Sequence, residues 1–233
     1  MTSETRFIYA YSEGKRYELL PNAQASMEAA AERWGATFQP IERPGRGNFW
    51  CQKMRHFLDV CEGDRALYLD GDMLIRADCP NVFDLVPSYK AGFVPVQQDH
   101  RNLLVHSAMG GVPCVQGGFQ LYSKHQAQHV FNVMLYKQFE RLHWTGMDQD
   151  QIQFMISALS ADVCWLPAMF DFIFPPSYSK DWIHKALARD CWMYKPMLPR
   201  YIVHFAGNRE GWERKAGRVK MFDWKLIPEL PAQ

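Results

Sequence analysis

Apolar positions in the first part of the chain alternate between short runs typical of buried strands and longer stretches with helical spacing. Residues 7–11, 37–41 and 66–69 form strand-like runs. Residues 21–34 are rich in Ala and end before a glycine, as helices commonly do, and residues 49–61 again show helical spacing. The order strand, helix, strand, helix, strand indicates an α/β sheet with several parallel strands.

The later part of the chain continues this pattern without an internal repeat or a low-complexity linker. We predict a helical turn at 81–86, helices at 126–142 and 147–158, and strands at 92–96, 115–122, 162–166 and 201–205. Residues 100–114 are predicted to form a long loop, and residues 170–199 receive no assignment. We therefore expect a single mixed α/β domain over residues 1–233.

Composition narrows the class of protein. The chain is 48% apolar and 22% charged, as is usual for a globular protein, and 26 basic residues nearly balance 25 acidic ones. No basic stripe indicates a nucleic-acid partner. The six cysteines show no zinc-binding spacing, so we expect reduced, mostly buried thiols. No signal peptide and no apolar run of roughly 20 residues is visible. We therefore expect a cytoplasmic protein whose contact with a membrane, if any, is peripheral.

The third strand ends in two carboxylates, Asp70 and Asp72, separated by Gly71. Unpaired burial of ionised carboxylates is costly, and a divalent cation is the obvious partner for two of them. Gly71 lets the backbone turn, so that both carboxylates can converge on one ion. The alternative is that the aspartates only cap the following turn.

Two further polar clusters are predicted at the ends of elements. Asp148-Gln149-Asp150 opens a helix, and His204 ends the last strand before Gly207. Two carboxylates and an imidazole would suit a divalent cation, and this mixture of oxygen and nitrogen favours Mn²⁺ somewhat over Mg²⁺. Taken alone, His204 could equally be a strand-end histidine held by one hydrogen bond.

Four short motifs occur in a characteristic order. They are Tyr68-Leu69-Asp70-Gly71-Asp72, Gln116-Gly117-Gly118-Phe119, Asp148-Gln149-Asp150 and His204-Phe205-Ala206-Gly207. In this order the chain resembles the GT-A-fold glycosyltransferases, most closely family 8 and related bacterial sugar transferases. The resemblance runs from about residue 7 to residue 212. It implies a GT-A domain with a mixed, mostly parallel sheet, whose nucleotide-binding part covers about 1–115 and whose acceptor and sugar side covers about 116–233.

The resemblance implies a metal-dependent enzyme that moves a sugar from a nucleotide donor, UDP-linked, to a glycan or a lipid-linked glycan. Retention of configuration follows from resemblance to family 8. The implied cofactor is Mn²⁺ or Mg²⁺. Asp70 would contact the ribose and the metal, and Asp72 and His204 would bind the metal.

Further site residues follow from the same resemblance. Asp148 and Gln149 would lie beside the transferred sugar as the catalytic pair, while Asp150 could instead cap its helix. Lys53 occupies a position where such enzymes often carry a basic residue near the nucleotide sugar, although a solvated helix lysine is as good an explanation. The remaining residues assigned to the nucleotide are Tyr9, Ala10 and Tyr11 at the end of the first strand, with Gly71, Gly207 and Arg209.

The sequence departs from the family pattern at two places. The usual Lys-Pro-Trp after the last motif is replaced here by Asn208-Arg209-Glu210-Gly211-Trp212. Arg209 or Lys215 could supply the positive charge near the diphosphate, but neither matches the family's position. The usual Asn-Ser-Gly of the middle motif is Gln116-Gly117-Gly118. The donor sugar is therefore left open.

Three other functions are compatible with an apolar strand that ends in Asp-X-Asp. A haloacid-dehalogenase-type phosphatase uses such a motif, but normally near the N-terminus and with an acidic pair late in the chain. A nucleotidyltransferase could share the nucleotide-binding architecture. A non-catalytic glycan-binding protein is the third alternative, and the acidic motif counts against it.

Overall fold

The computed structural model describes residues 4–12, 21–42, 57–71, 73–95, 113, 115–131, 152–153, 155–156, 162–170, 172–173 and 201–204. The strands are β1 (Arg6–Ser12), β2 (Thr37–Glu42), β3 (Arg65–Leu69), β4 (Met73–Ile75), β5 (Ala91–Pro95), β6 (Val115–Ser123), β7 (Val163–Trp165), β8 (Phe172–Ile173) and β9 (Ile202–His204). The helices are α1 (Pro21–Trp34), α2 (Val82–Leu85), a π-helix (Gln126–Val130) and a 3₁₀-helix (Ala168–Phe170).

The larger sheet contains six strands in the order β2-β1-β3-β6-β5-β7. β1 pairs in parallel with β2 and β3, and β5 pairs in parallel with β7. β6 lies antiparallel to both of its neighbours, β3 and β5. The predicted mixed, mostly parallel sheet is therefore confirmed.

A smaller sheet has three strands in the order β4-β9-β8. Its middle strand, β9, is antiparallel to β4, and Met73 is the register partner of His204. β3 belongs to the larger sheet and β4 to the smaller one, and the described residues Asp70 and Gly71 follow β3 where the chain leaves the larger sheet.

β3 is the strand that leads into Asp70. It lies inside the larger sheet, and all five of its residues are buried. Its side chains alternate between two hydrophobic clusters, with Leu67 and Leu69 in one and Ala66 and Tyr68 in the other. Alternation of this kind is expected for a strand covered on both faces. The carboxyl end of β3 is consequently a firmly held support for the residue that follows it, Asp70.

Helix α1 covers one face of the sheet. Its observed bounds are those predicted, residues 21–34. Met27, Ala30 and Trp34 are buried in the same cluster as Leu67. The helix stops at Gly35, whose φ of 62° lies in the left-handed region that glycine adopts at little steric cost.

Most predicted elements are confirmed with shifts of one or two residues at their ends. The helix predicted to begin at residue 126 begins two residues earlier, at residue 124, and residues 126–130 wind as a π-helix, in which the Phe131 amide donates to the Gln126 carbonyl at 2.8 Å. Residues 57–60, 152–153 and 155–156 are helical, as predicted. The other parts of those predicted helices and the predicted loop at 100–114 lie outside the described residues.

Three cysteines belong to the described residues, and all three are free thiols. Cys79 is buried, whereas Cys61 and Cys164 are partly exposed. Burial raises the pKa of the Cys61 thiol to about 11 and that of Cys79 to about 12, so both are protonated at neutral pH. No helix within the described ranges is long and apolar enough to cross a membrane.

Candidate functional site

Three strands from distant parts of the sequence meet beside Asp70. This residue directly follows β3, and its backbone amide donates a hydrogen bond to the Gly118 carbonyl of β6 at 2.9 Å. His204, the last residue of β9, approaches from the smaller sheet. The structure therefore brings together Asp70 and His204, two of the three predicted metal ligands.

The facing atoms of these two side chains are Oδ2 of Asp70 and Nε2 of His204, 3.6 Å apart. That separation is too long for a good hydrogen bond between these two atoms. The His204 side chain is 7% exposed and that of Asp70 is 20% exposed. The imidazole is thus largely held by protein, while the carboxylate keeps access to solvent or to a ligand.

Gly118 provides the space in which these two side chains lie. A Cβ atom at this position would be 2.6 Å from Cε1 and 2.8 Å from Nδ1 of His204, and 3.2 Å from Oδ2 of Asp70. Contacts under 3.0 Å with a buried ring require a displacement. A side chain at position 118 would therefore displace the His204 ring from its present position beside Asp70.

The other carboxylate oxygen of Asp70 has a different partner. The Tyr68 hydroxyl donates to Oδ1 of Asp70 at 2.8 Å. Tyr68 is completely buried in β3, two positions before Asp70. Tyr68 has no predicted role of its own, although residues two apart in a strand share a face and this spacing could indicate the pairing.

A buried polar layer lies next to this site on β6. The Gln120 side-chain amide donates to the Gly117 carbonyl at 2.7 Å and its oxygen accepts from the Tyr122 hydroxyl at 2.7 Å. Gln153 accepts from the Val115 amide at 3.0 Å. Sequence analysis missed Gln120 and Gln153, because an isolated glutamine in a strand or helix carries no recognisable spacing signal.

Gln116, also on β6, has a buried side-chain oxygen that accepts no hydrogen bond from the described residues. It is 2% exposed, and its Oε1 has no hydrogen-bond partner within the described part of the chain. Gln116 is the first residue of the glutamine-glycine-glycine segment that contains Gly118. Gln120 differs from Gln116 in this respect, because its side-chain nitrogen donates a hydrogen bond and its side-chain oxygen accepts one.

The three residues of β1 that were assigned to the nucleotide lie beside β3. Ala10 pairs with Leu69, so the end of β1 is next to the residue that precedes Asp70. Ala10 and Tyr9 are completely buried. The Tyr9 hydroxyl accepts a hydrogen bond from the Glu62 amide at 2.8 Å, and burial raises its pKa to about 12. Tyr11 is described only by its backbone, which pairs with Ile41 of β2.

Several predicted site residues lie outside the described residues, and their roles stay predictions. They are Lys53, Asp72, Asp148, Gln149, Gly207 and Arg209. Gly71 is described and forms the turn between the two sheets. Among the residues for which the structure gives positions, no group of three or more His, Cys, Asp or Glu side chains could hold a metal.

The positions of Asp70 and His204 are nevertheless compatible with two ligands of one divalent cation. A carboxylate oxygen and an imidazole nitrogen are suitable ligands for Mn²⁺. Two atoms that each lie roughly 2.1 Å from one ion are separated by about 3.0 to 3.5 Å, depending on the angle. The observed 3.6 Å between Oδ2 and Nε2 is close to that range.

Comparisons with known proteins reveal similarity of structure without similarity of sequence. No protein-family model matches the chain, and no curated protein matches it by sequence. The structure is similar to that of the galactosyltransferase LgtC, solved in complex with donor and acceptor sugar analogs. That match has 16% identity and a TM-score of 0.62, and it covers 97% of this chain and 98% of LgtC.

Two further solved structures have the same fold. A glycosyltransferase involved in glycosylation of the major capsid of PBCV-1 is 12% identical, with a TM-score of 0.57 over 91% of this chain and 99% of that one. Mouse xyloside xylosyltransferase 1 is 11% identical, with a TM-score of 0.50 over 86% and 98%. The chain therefore has the GT-A glycosyltransferase fold that its motifs predicted.

Proposed function

We propose that this protein is a metal-dependent glycosyltransferase that moves a sugar from a UDP-sugar to a glycan or lipid-linked glycan, with retention of configuration. The observation that carries the proposal is the convergence of Asp70 and His204 around Gly118, at the end of the central strand of a GT-A fold. Ligands of α/β sheets bind at the carboxyl ends of strands, which is where this pair lies.

Asp70, Asp72 and His204 are the residues that would hold Mn²⁺ or Mg²⁺. A bound cation would stabilise the negative charge that develops on the diphosphate as the sugar leaves. His204 is held by its register pairing with Met73, which directly follows Asp72 in the sequence. This pairing supports His204 as a fixed nitrogen ligand beside Asp70 in the proposed site.

The other site residues divide into a nucleotide side and a sugar side. Tyr9, Ala10 and Tyr11, with Gly71, Gly207, Lys53 and Arg209, are proposed to contact the nucleotide or its diphosphate. Asp148 and Gln149 are proposed to bind the hydroxyls of the transferred sugar and to support the positive charge that develops on its ring. The complex of LgtC with donor and acceptor sugar analogs supports this division by analogy of fold. A cytoplasmic location, with at most peripheral membrane contact, is part of the same proposal.

The first experiment is a thermal-shift screen of nucleotides and nucleotide sugars, each with and without Mn²⁺. Because a ligand that binds only the folded state raises the melting temperature, UDP and one or more UDP-sugars should raise it in the presence of Mn²⁺. The sugar donor found in this way is then tested for release of UDP. Pyrophosphate release from a nucleoside triphosphate would instead indicate a nucleotidyltransferase, and phosphate release from a phosphomonoester a phosphatase.

Variants of the proposed ligands test the site itself. Asp72→Asn and His204→Asn should each lower metal-dependent turnover by roughly 10²-fold or more, since each removes a group that fixes the charge-stabilising ion. Asp59→Asn is the matched control, because Asp59 is an exposed carboxylate on the helical segment before β3. Unchanged metal affinity in both ligand variants would show that the metal site is wrongly assigned.

A further inference from the structure

The two oxygens of the Asp70 carboxylate have different surroundings. Oδ1 accepts the hydroxyl of Tyr68 at 2.8 Å. Oδ2 lies 3.6 Å from Nε2 of His204, and a Cβ atom at Gly118 would lie 3.2 Å from it. The carboxylate is therefore oriented by one oxygen and presents the other toward the imidazole.

Tyr68 is itself held rigidly. It is completely buried, and its ring packs against that of Phe57 with the centroids 5.3 Å apart and the planes tilted by 53°. Its backbone pairs with Gln120 of β6. A buried phenol in this position has little freedom to move its hydroxyl, so the hydrogen bond to Oδ1 fixes the rotation of the carboxylate.

We propose that Tyr68 is a positioning residue of the proposed metal site, which holds the Asp70 carboxylate so that Oδ2 is the oxygen that faces the cation. This inference rests on the proposed function. Groups that orient the ligands of a metal from behind commonly change metal affinity by about 10- to 100-fold when they are removed. Tyr68 needs no contact with the cation to have such an effect.

The test is a Mn²⁺ titration of the free protein, without nucleotide, followed by the electron paramagnetic resonance signal of unbound Mn²⁺. Tyr68→Phe keeps the ring and removes only the hydroxyl, and we expect Mn²⁺ binding to weaken by roughly tenfold or more. Tyr122→Phe is the matched control. It also removes a buried hydroxyl from this layer, but that hydroxyl donates to Gln120 at 2.7 Å instead of to Asp70.

The outcomes separate a positioning role from a merely structural one. If Tyr68 only stabilises the fold, both phenylalanine variants should lower the melting temperature while Mn²⁺ affinity stays within about twofold of wild type, and this result would overturn the inference. Weaker Mn²⁺ binding in Tyr68→Phe alone supports it. Wild-type protein that binds no Mn²⁺ either alone or with UDP added would overturn the proposed function and, with it, the role of Tyr68.

Discussion

At the scale of single residues, the candidate site depends on the close packing of Gly118, His204 and Asp70. Gly118 has no side chain, so the His204 ring can lie beside Oδ2 of Asp70. The sequence analysis predicted Asp70 and His204 because carboxylate pairs and strand-end histidines are visible as patterns. The role of Gly118 in letting them approach could not be predicted, because close approach between residues of different strands depends on register.

Replacing Gly118 with Ala should displace His204, since the added Cβ would lie 2.6 Å from its Cε1 atom. We expect Mn²⁺ affinity to fall by roughly tenfold or more, as for other changes in the support of a metal ligand. The measurement is the same Mn²⁺ titration, with circular dichroism to confirm that the fold is retained.

The double variant Gly118→Ala with His204→Ala identifies the cause. If the alanine at 118 acts by displacing the imidazole, the double variant should bind Mn²⁺ no more weakly than His204→Ala alone, because the two effects share one mechanism. Fully additive losses would contradict that explanation.

Asp64, at the opposite end of β3 from Asp70, should make the stability of the fold depend on pH. Its carboxylate accepts hydrogen bonds from the amide and hydroxyl of Thr5, both at 2.9 Å, and these lower its pKa below the usual 3.8. A lowered folded-state pKa contributes stability above the unfolded pKa, and this contribution is lost as pH falls through the folded value. Asp64→Asn should therefore lower the melting temperature at pH 7, and the difference from wild type should shrink as pH falls below about 3.8. A difference that is the same at pH 7 and at pH 3 would be evidence against this role.

At the scale of elements, strands and α1 were predicted well because each is a local pattern. Helix α1 ends where Gly35 adopts a positive φ, and the predicted run at 37–41 is β2. The antiparallel direction of β6 and the separate sheet of β4, β9 and β8 could not be predicted in this way. Both depend on pairing between strands that are distant in sequence, which local periodicity does not encode.

A side-chain hydrogen bond links α1 to β4 of the smaller sheet, in addition to their apolar packing. The Ser26 hydroxyl accepts a hydrogen bond from the Ile75 amide of β4 at 3.1 Å and donates to the Ala23 carbonyl at 2.8 Å. Ser26→Ala leaves that buried amide without this acceptor, so the free energy of unfolding should fall by about 1 to 2 kcal/mol in chemical denaturation.

Gln24→Ala in the same helix is the control for this change. Gln24 is only partly buried, and its amide bonds to Glu28 within α1 at 2.7 Å, so its replacement should change the free energy of unfolding by less than about 0.5 kcal/mol. Equal effects of the two substitutions would indicate that the link between α1 and β4 contributes nothing beyond helix propensity.

At the scale of the whole molecule, the two sheets come together where Asp70 faces His204. The larger sheet holds Asp70 at the end of β3, and the smaller one brings His204 to it on β9. The sequence predicted both residues and the resemblance implied that they share a cation. The oxygen that faces the imidazole and the tyrosine that holds the other oxygen became evident only from three-dimensional positions.

The central claim is that Asp70 and His204 bind one cation in a nucleotide-sugar site. The most direct measurement is anomalous diffraction at a wavelength sensitive to manganese, from crystals grown with Mn²⁺ and UDP. We expect an anomalous peak in contact with Oδ2 of Asp70, Nε2 of His204 and the UDP diphosphate. UDP bound to the protein with no manganese at these two side chains would contradict it.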